Sequence, residues 1–350
     1  MEEQNSFERR FQLLENSKEL KEFTLESAKE FSFAPGDLFW SKSDGRLFRL
    51  LEAGDPLTPA WIQRYLKPHI KVVTTEVVNR VKQKEYSKAL KRYLNGRSEK
   101  LRILNRDQML GLIKPLVWDG TQNGSWLDLV CVFHNELYRE ENMTLDFELR
   151  PLQFKRQALV ATMTVIGAMA LGYHKKEYLE DLYLLSFFYD LSLKPKETPV
   201  LFEFIDSERK SEEKFLEIKS KLNHQELDVY QTHPVDDFNL VNEKYLQFFR
   251  YPSVVKMLLW QHERANGMGG PKGLNQEELS DIELWVSYCN RLIPLGSLEF
   301  NLYDGKGALK GYFETFKKRK NQFFFMGRRV MALIEGCFDH LVVEKEKKGA

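Results

Sequence analysis

The run Gln261-His262-Glu263-Arg264-Ala265-Asn266-Gly267-Met268-Gly269-Gly270-Pro271-Lys272-Gly273-Leu274 sets an imidazole, a carboxylate and two cations beside a glycine-rich loop. Such a loop can bring backbone N–H groups close to a phosphate. It is not a Walker A loop, because no G-K-[ST] follows, and Asn266 stands where an HExxH pair needs its second histidine. Nucleophilic chemistry finds less support: Ser, His and Asp occur, but no G-x-S-x-G elbow does. Cys131, in an apolar stretch beginning at Trp126, reads as a core thiol although His134 is near in sequence. With Cys289 and Cys337 it matches neither a CxxC-type zinc pattern nor a disulfide framework, so a reduced, cytoplasmic setting is expected. Met163, Met169 and Met257 read as core filler rather than soft-metal ligands.

The elements that must position these groups are mostly helical. In 350 residues only 20 are Gly and 12 are Pro, too few for a turn-rich all-β fold, and 43% are hydrophobic, enough for a packed core. The net charge of +1 gives no global field for nucleic acid or an anionic membrane, so charge-driven binding must be local. An amphipathic helix is expected over 7–31. Pro35-Gly36 breaks it, and Asp37-Leu38-Phe39-Trp40 and Arg46 to Leu51 read as strands around Ser43-Asp44-Gly45. Thr58 reads as an N-cap before Pro59, and His69 to Thr74 as a further strand. Helical periodicity then dominates: Glu76 to Leu94, Arg97 to Leu116, Trp126 to Tyr138, Pro151 to Leu171, Glu177 to Leu191, Ser207 to Leu222, Val235 to Phe249, Pro252 to Arg264, Gln276 to Leu292 and two more before Leu341. The uncharged stretch Ala158 to Tyr173 is too short to span a membrane and reads as a buried helix. The basic clusters at Lys88 to Arg97 and Lys317 to Lys320 read as solvated faces.

The 261–274 run resembles the HD-GYP family, the cyclic di-GMP phosphodiesterase branch of the HD superfamily, whose signature is HHExxDGxGYPxGL. His262, Glu263, Gly267, Gly269, Pro271, Gly273 and Leu274 match it. Thr232-His233-Pro234 resembles the family's His-Pro element, and Leu182 to Leu193 falls where its helix ends in HDIGK. The resemblance covers about residues 150 to 340 and implies a two- or three-metal hydrolytic centre. Several ligand positions depart from it. The early His falls near Arg156, the HD histidine is Tyr189, the first His of HHE is Gln261 and the late Asp falls at Ser287; the HDIGK lysine is Leu193. Asp190, His233 and His262 remain, enough for one two-His, one-carboxylate face.

The resulting expectation is a mainly α chain: a small α+β domain with connecting helices over 1–122, an HD-type helical bundle over 123–341 and a flexible tail over 342–350. It is read as a catalytically inactive, cytoplasmic signalling protein that works by binding or scaffolding. No cofactor, nucleic-acid partner or membrane insertion is expected. The contact is expected at Arg264, Asn266, Gly267, Gly269, Gly270, Pro271 and Lys272, taking a protein partner or cyclic di-GMP. Arg264 and Lys272 would supply the phosphate or guanine contacts. With metal-free packing, His233 is expected at a helix N-terminus beside Pro234, and His262 and Asp190 would bond each other or Tyr189. The competing expectation is a phosphodiesterase holding iron, manganese or zinc on Asp190, His233 and His262, with Glu263, His174 or His224 as further groups.

Overall fold

The computed structural model describes residues 20–66, 70–120, 125–139, 151–193, 201, 204, 217–292 and 326–341. The chain is mainly α, and its described residues form one small sheet. It divides into two compact units, Met1–Val78 and Asn79–Ala350.

The first unit is built on a four-stranded antiparallel sheet. Strands β2 (Leu38–Ser41) and β3 (Leu47–Leu51) form the expected hairpin, with Trp40 opposite Phe48. Gly45 takes φ of +82° in the turn, and Asp44 accepts from the Arg46 amide at 3.1 Å, the local bond that favours a turn there. β4 (Val72–Thr74) pairs with β2, and the edge strand β1 (Lys21–Glu22) pairs with β4, giving the order β1-β4-β2-β3. Phe23, Phe33, Leu38, Phe39, Val72 and Val73 form its core. A short turn, α1 (Leu25–Ala28), follows β1, so the chain from Lys21 is not the continuous helix expected up to Phe31. α2 (Pro59–Tyr65) starts as expected, the Thr58 hydroxyl accepting from Trp61 N at 3.1 Å.

The second unit comprises α3 (Arg80–Leu94), α4 (Glu99–Val117), α5 (Trp126–Leu137), α6 (Pro151–Ala170), α7 (Lys176–Leu185), α8 (His224–Lys244), the short α9 (Pro252–Val255), α10 (Asp281–Leu292) and α11 (Gly327–His340). The division after Val78 differs from the expected boundary near residue 122. Buried Asp128, in the first turn of α5, accepts from Asn79 N at 2.9 Å and Gln83 Nε2 at 3.1 Å, and Trp118 at the end of α4 stacks on Phe338 of α11. Both helices therefore belong with the helical unit. The uncharged stretch falls mostly in α6, which is buried from Arg156 to Ala170. Its Gly167 lets the Trp285 ring of α10 approach so closely that a Cβ would lie 1.9 Å from the ring, while Trp285 Nε1 donates to Thr164 O at 3.0 Å. No described helix is long and apolar enough to cross a membrane. The expected helix 207–222, the basic cluster 317–320 and the tail 342–350 lie largely or wholly outside the described residues.

Candidate functional site

Three segments distant in sequence converge inside the second unit. α7 runs into a 3-10 turn, Ser186–Phe188, and the chain then reverses at Asp190, which takes φ of +56°, a left-handed conformation rare outside Gly, Asn and Asp. α8 supplies His233 from mid-helix. It starts at His224, nine residues before His233, because Asn223 and Glu226 form a capping box, and it continues through Pro234. His233 is thus not the helix N-terminal residue that Pro234 suggested. Expected helix 252–264 instead stops early: α9 passes into a 3-10 turn, Lys256–Trp260, which delivers Gln261, His262 and Glu263 to the centre.

Asp190, His233 and His262 are each 1% exposed, and their ligating atoms all lie within 4.8 Å of one another. His233 Nε2 is 2.8 Å from His262 Nε2, His262 Nε2 is 3.0 Å from Asp190 Oδ1, and His233 Nε2 is 3.5 Å from the same oxygen. His233 Nδ1 lies 3.1 Å from Val229 O, a contact in which the ring must donate, and this bond fixes the ring with Nε2 toward the centre. Asp190 Oδ2 accepts from Asn290 Nδ2 at 3.2 Å and lies 3.9 Å from Arg156 Nη1. Burial alone would raise the Asp190 pKa; hydrogen bonds from the two imidazoles and the charges of His262 and Arg156 hold it well below the carboxylate range. The aromatic wall is Tyr230, its ring centroid 5.6 Å from that of His262, with Phe204 packed edge-on behind it.

The positions that depart from the resemblance are all in this neighbourhood, doing other work. Gln261 accepts from Asp190 N at 3.3 Å and donates to Asp237 at 2.9 Å. Ser287 donates to the carbonyls of Gln261 and Glu263, at 3.1 and 2.7 Å. Tyr189 is fully buried, and its carbonyl accepts from Gln157 at 2.9 Å rather than its ring joining His262. Arg156 donates to the carbonyl and side-chain oxygens of Asn290, at 2.6 and 2.9 Å, which fixes a buried cation 3.9 Å from Asp190.

Sequence reasoning missed Asp237 and Asn290. Asp237 is one helical turn beyond His233, fully buried, and accepts from Ser192 N at 2.7 Å as well as from Gln261; burial pushes its pKa up. The i,i+4 spacing from His233 was the available signal.

The glycine-rich loop is held from below by Glu263, whose carboxylate accepts from Lys272 N at 2.7 Å and Leu274 N at 2.8 Å. Gly269 passes so near this support that a Cβ would lie 2.5 Å from Glu263 Cα and Arg264 N. Asn266, Met268 and Lys272 are exposed, Gly267, Gly269 and Pro271 half-buried, and Gly270 is buried against Tyr230. Arg264 is fully buried, which corrects its expected place as a cation on the loop surface. Lys272 fills that role, its Nζ 5.0 Å from the Trp260 ring centroid. His174 packs against Gly172 O, and His224 is exposed at the start of α8; among the described residues the metal-capable group is the triad without them.

No family model and no curated protein matches the chain. Among solved structures it is similar to Bd1817, an HDG"Y"P protein from Bdellovibrio bacteriovorus, at 13% identity over 92% of this chain and 100% of that chain, with a TM-score of 0.38.

Proposed function

We propose that the second unit is a helical domain of the HD-GYP type whose hydrolytic centre has contracted into a closed polar core, and that the protein acts by binding, as a regulatory or scaffolding element, rather than by catalysis. One observation carries this reading. Around the centre Asp190, Asp237 and Glu263 are accompanied by Arg156, Arg264 and Arg291, all six of them buried, while Glu180 and Asp181 farther back on α7 face Arg139, Lys176 and Arg250. Three carboxylates thus stand against three guanidiniums before either imidazole is counted, so the core needs no added cation to offset its carboxylates. Phosphodiester hydrolysis on metal ions needs several deprotonated ligands and access for the substrate. Here Gln261, Tyr189 and Ser287 stand where the resemblance calls for ligands, and Glu263 is committed to holding the loop. The surface left for a partner is that loop, around Met268 and Lys272, and it suits a protein or the phosphates of cyclic di-GMP.

A second reading rests on the triangle of ligand atoms. Two donors each about 2.1 Å from one ion stand roughly 3.0 to 3.4 Å apart for right-angled to tetrahedral coordination, and the edges here are 2.8, 3.0 and 3.5 Å. The donor set fits one iron, manganese or zinc ion on Asp190, His233 and His262, and does not fit the two or three of the resemblance. Such an ion would activate water or polarise a phosphoryl oxygen.

Elemental analysis of protein purified without chelator separates the two. The binding-protein reading expects less than about one-tenth of a metal per chain and no cyclic di-GMP turnover. Stoichiometric metal that disappears in His233→Ala/His262→Ala, together with turnover, overturns it. Calorimetry with cyclic di-GMP then decides the ligand: micromolar affinity weakened by Lys272→Ala supports a receptor, and no heat at ~100 μM protein leaves the protein partner.

A further inference from the structure

The near-zero net charge of the chain conceals a local excess of cations. Between Arg80 and Arg106 there are ten Lys or Arg against Glu85 and Glu99, a local excess of eight in a chain whose total is +1. This stretch is the hairpin of α3 and the first half of α4. Its inward face is fully used: Tyr86, Leu90 and Tyr93 of α3 and Met109, Leu110 and Ile113 of α4 are all buried, and Asn105 donates to Arg92 O at 2.8 Å to tie the two helices together. What remains outward is not only charge. Leu101, Ile103 and Leu104, in the first turns of α4, are 42%, 40% and 54% exposed, and Val81 at the start of α3 is 76% exposed. On a helical wheel Ile103, Asp107, Lys100, Leu104, Gln108 and Leu101 fall in that angular order on one side of α4; the three aliphatic residues and Lys100 are exposed, and the one acid among them, Asp107, is paired with Arg106 at 2.7 Å.

We propose that this hairpin docks on an anionic phospholipid surface, with Leu101, Ile103 and Leu104 entering the headgroup boundary and Lys88, Arg92, Arg97 and Lys100 facing the lipid phosphates. Exposed aliphatic side chains set among cations are the combination by which a helix lies in a membrane interface. Each cation near such a surface contributes to binding through the surface potential. A nucleic-acid surface fits less well. It would use aromatic platforms for bases, and the tyrosines of this hairpin, Tyr86 and Tyr93, are buried. The docking is peripheral and independent of the polar core described above.

The test is co-sedimentation of the full chain with vesicles. The expected result is binding to equimolar phosphatidylglycerol and phosphatidylcholine, none to pure phosphatidylcholine, and loss of binding between about 0.1 and 1 M salt as the Debye length falls from ~10 to ~3 Å. Lys88→Glu/Arg92→Glu and, separately, Leu101→Ser/Leu104→Ser are each expected to weaken it by at least ~10-fold, at exposed sites that leave the fold intact. The proposal is overturned by failure to bind the anionic vesicles or by equal binding to both lipid compositions. It is equally overturned if the Leu101→Ser/Leu104→Ser variant binds vesicles as wild type does and both bind duplex DNA, which would make the patch a general polyanion surface.

Discussion

Nε2 of His233 and Nε2 of His262 face each other at 2.8 Å across 29 residues of sequence, one delivered from the middle of a helix and the other from the end of a 3-10 turn. Asp190 Oδ1 closes the triangle, so the acid and the two imidazoles form one unit that no single segment contains.

Removing the acid should therefore be costly. Asp190→Ala strips the partner from Asn290 Nδ2, leaves the buried Arg156 guanidinium without its nearby carboxylate and puts alanine at φ of +56°. Breaking a buried charge pair from one side costs about 3–5 kcal/mol. Urea unfolding should show a loss of that order, and a change under about 1 kcal/mol would mean that Asp190 is not holding the centre together.

Glu263 should govern the order of the glycine-rich loop. Its carboxylate receives the amides of Lys272 and Leu274, and a neutral glutamine side chain in its place has one acceptor oxygen instead of two charged ones. In Glu263→Gln, hydrogen exchange at those two amides should quicken by ~10-fold or more, while amides in α6 stay protected. Unchanged exchange at both positions would remove Glu263 as the loop's anchor.

His134 gives the fold a definite pH dependence. It is buried among Tyr138, Phe154, Tyr183 and Phe187, and burial drives its pKa from 6.5 down to about 3. The unfolded chain takes up this proton below about 6.5 and the folded chain does not, so the contribution is complete above that pH and is lost as pH falls toward 3. Its size is on the order of a few kcal/mol. Asp181, raised to about 6 chiefly by burial, works in the opposite direction, so the comparison must be between wild type and His134→Phe. The variant should show a shallower fall in stability from pH 6.5 to 4; parallel curves would place the acid sensitivity elsewhere.

Thiol labelling should separate the three cysteines. Cys131 and Cys289 are buried, and burial raises both thiols above their ordinary range; Cys337 on α11 is half-buried and raised less strongly. The thiolate is the reacting form, so a colorimetric thiol reagent should find one slow thiol in the native protein and all three after unfolding. Fast labelling of two or three in the native state would contradict the packing around α5 and α10.

Much of the chain was legible from sequence because its signals are local. Thr58-Pro59, the Ser43-Asp44-Gly45 turn and the uncharged run that becomes α6 depend on neighbours in the chain, and each stands where it was expected. The start of α8 was misplaced because Pro234 reads as a boundary, whereas the Asn223–Glu226 capping box and the packing of Tyr230 and His233 hold the helix together upstream of it. The helix expected over 252–264 was broken because His262 and Glu263 satisfy partners in the core and in the loop, which an uninterrupted helix could not reach.

The sequence by itself determined a mainly α chain with a small leading sheet, and its resemblance to the HD-GYP family singled out Asp190, His233 and His262. It also carried the basic excess between Arg80 and Arg106 in plain view. Only the tertiary structure decided that the three ligand-type residues meet, that Asp237 and Asn290 join them, that Arg264 is buried, and that Leu101 and Leu104 stay outside the core. The physical reason is the range of the interactions. Caps, turns and periodicity are set within a few residues, whereas burial and the pairing of buried charges depend on which distant segments pack together.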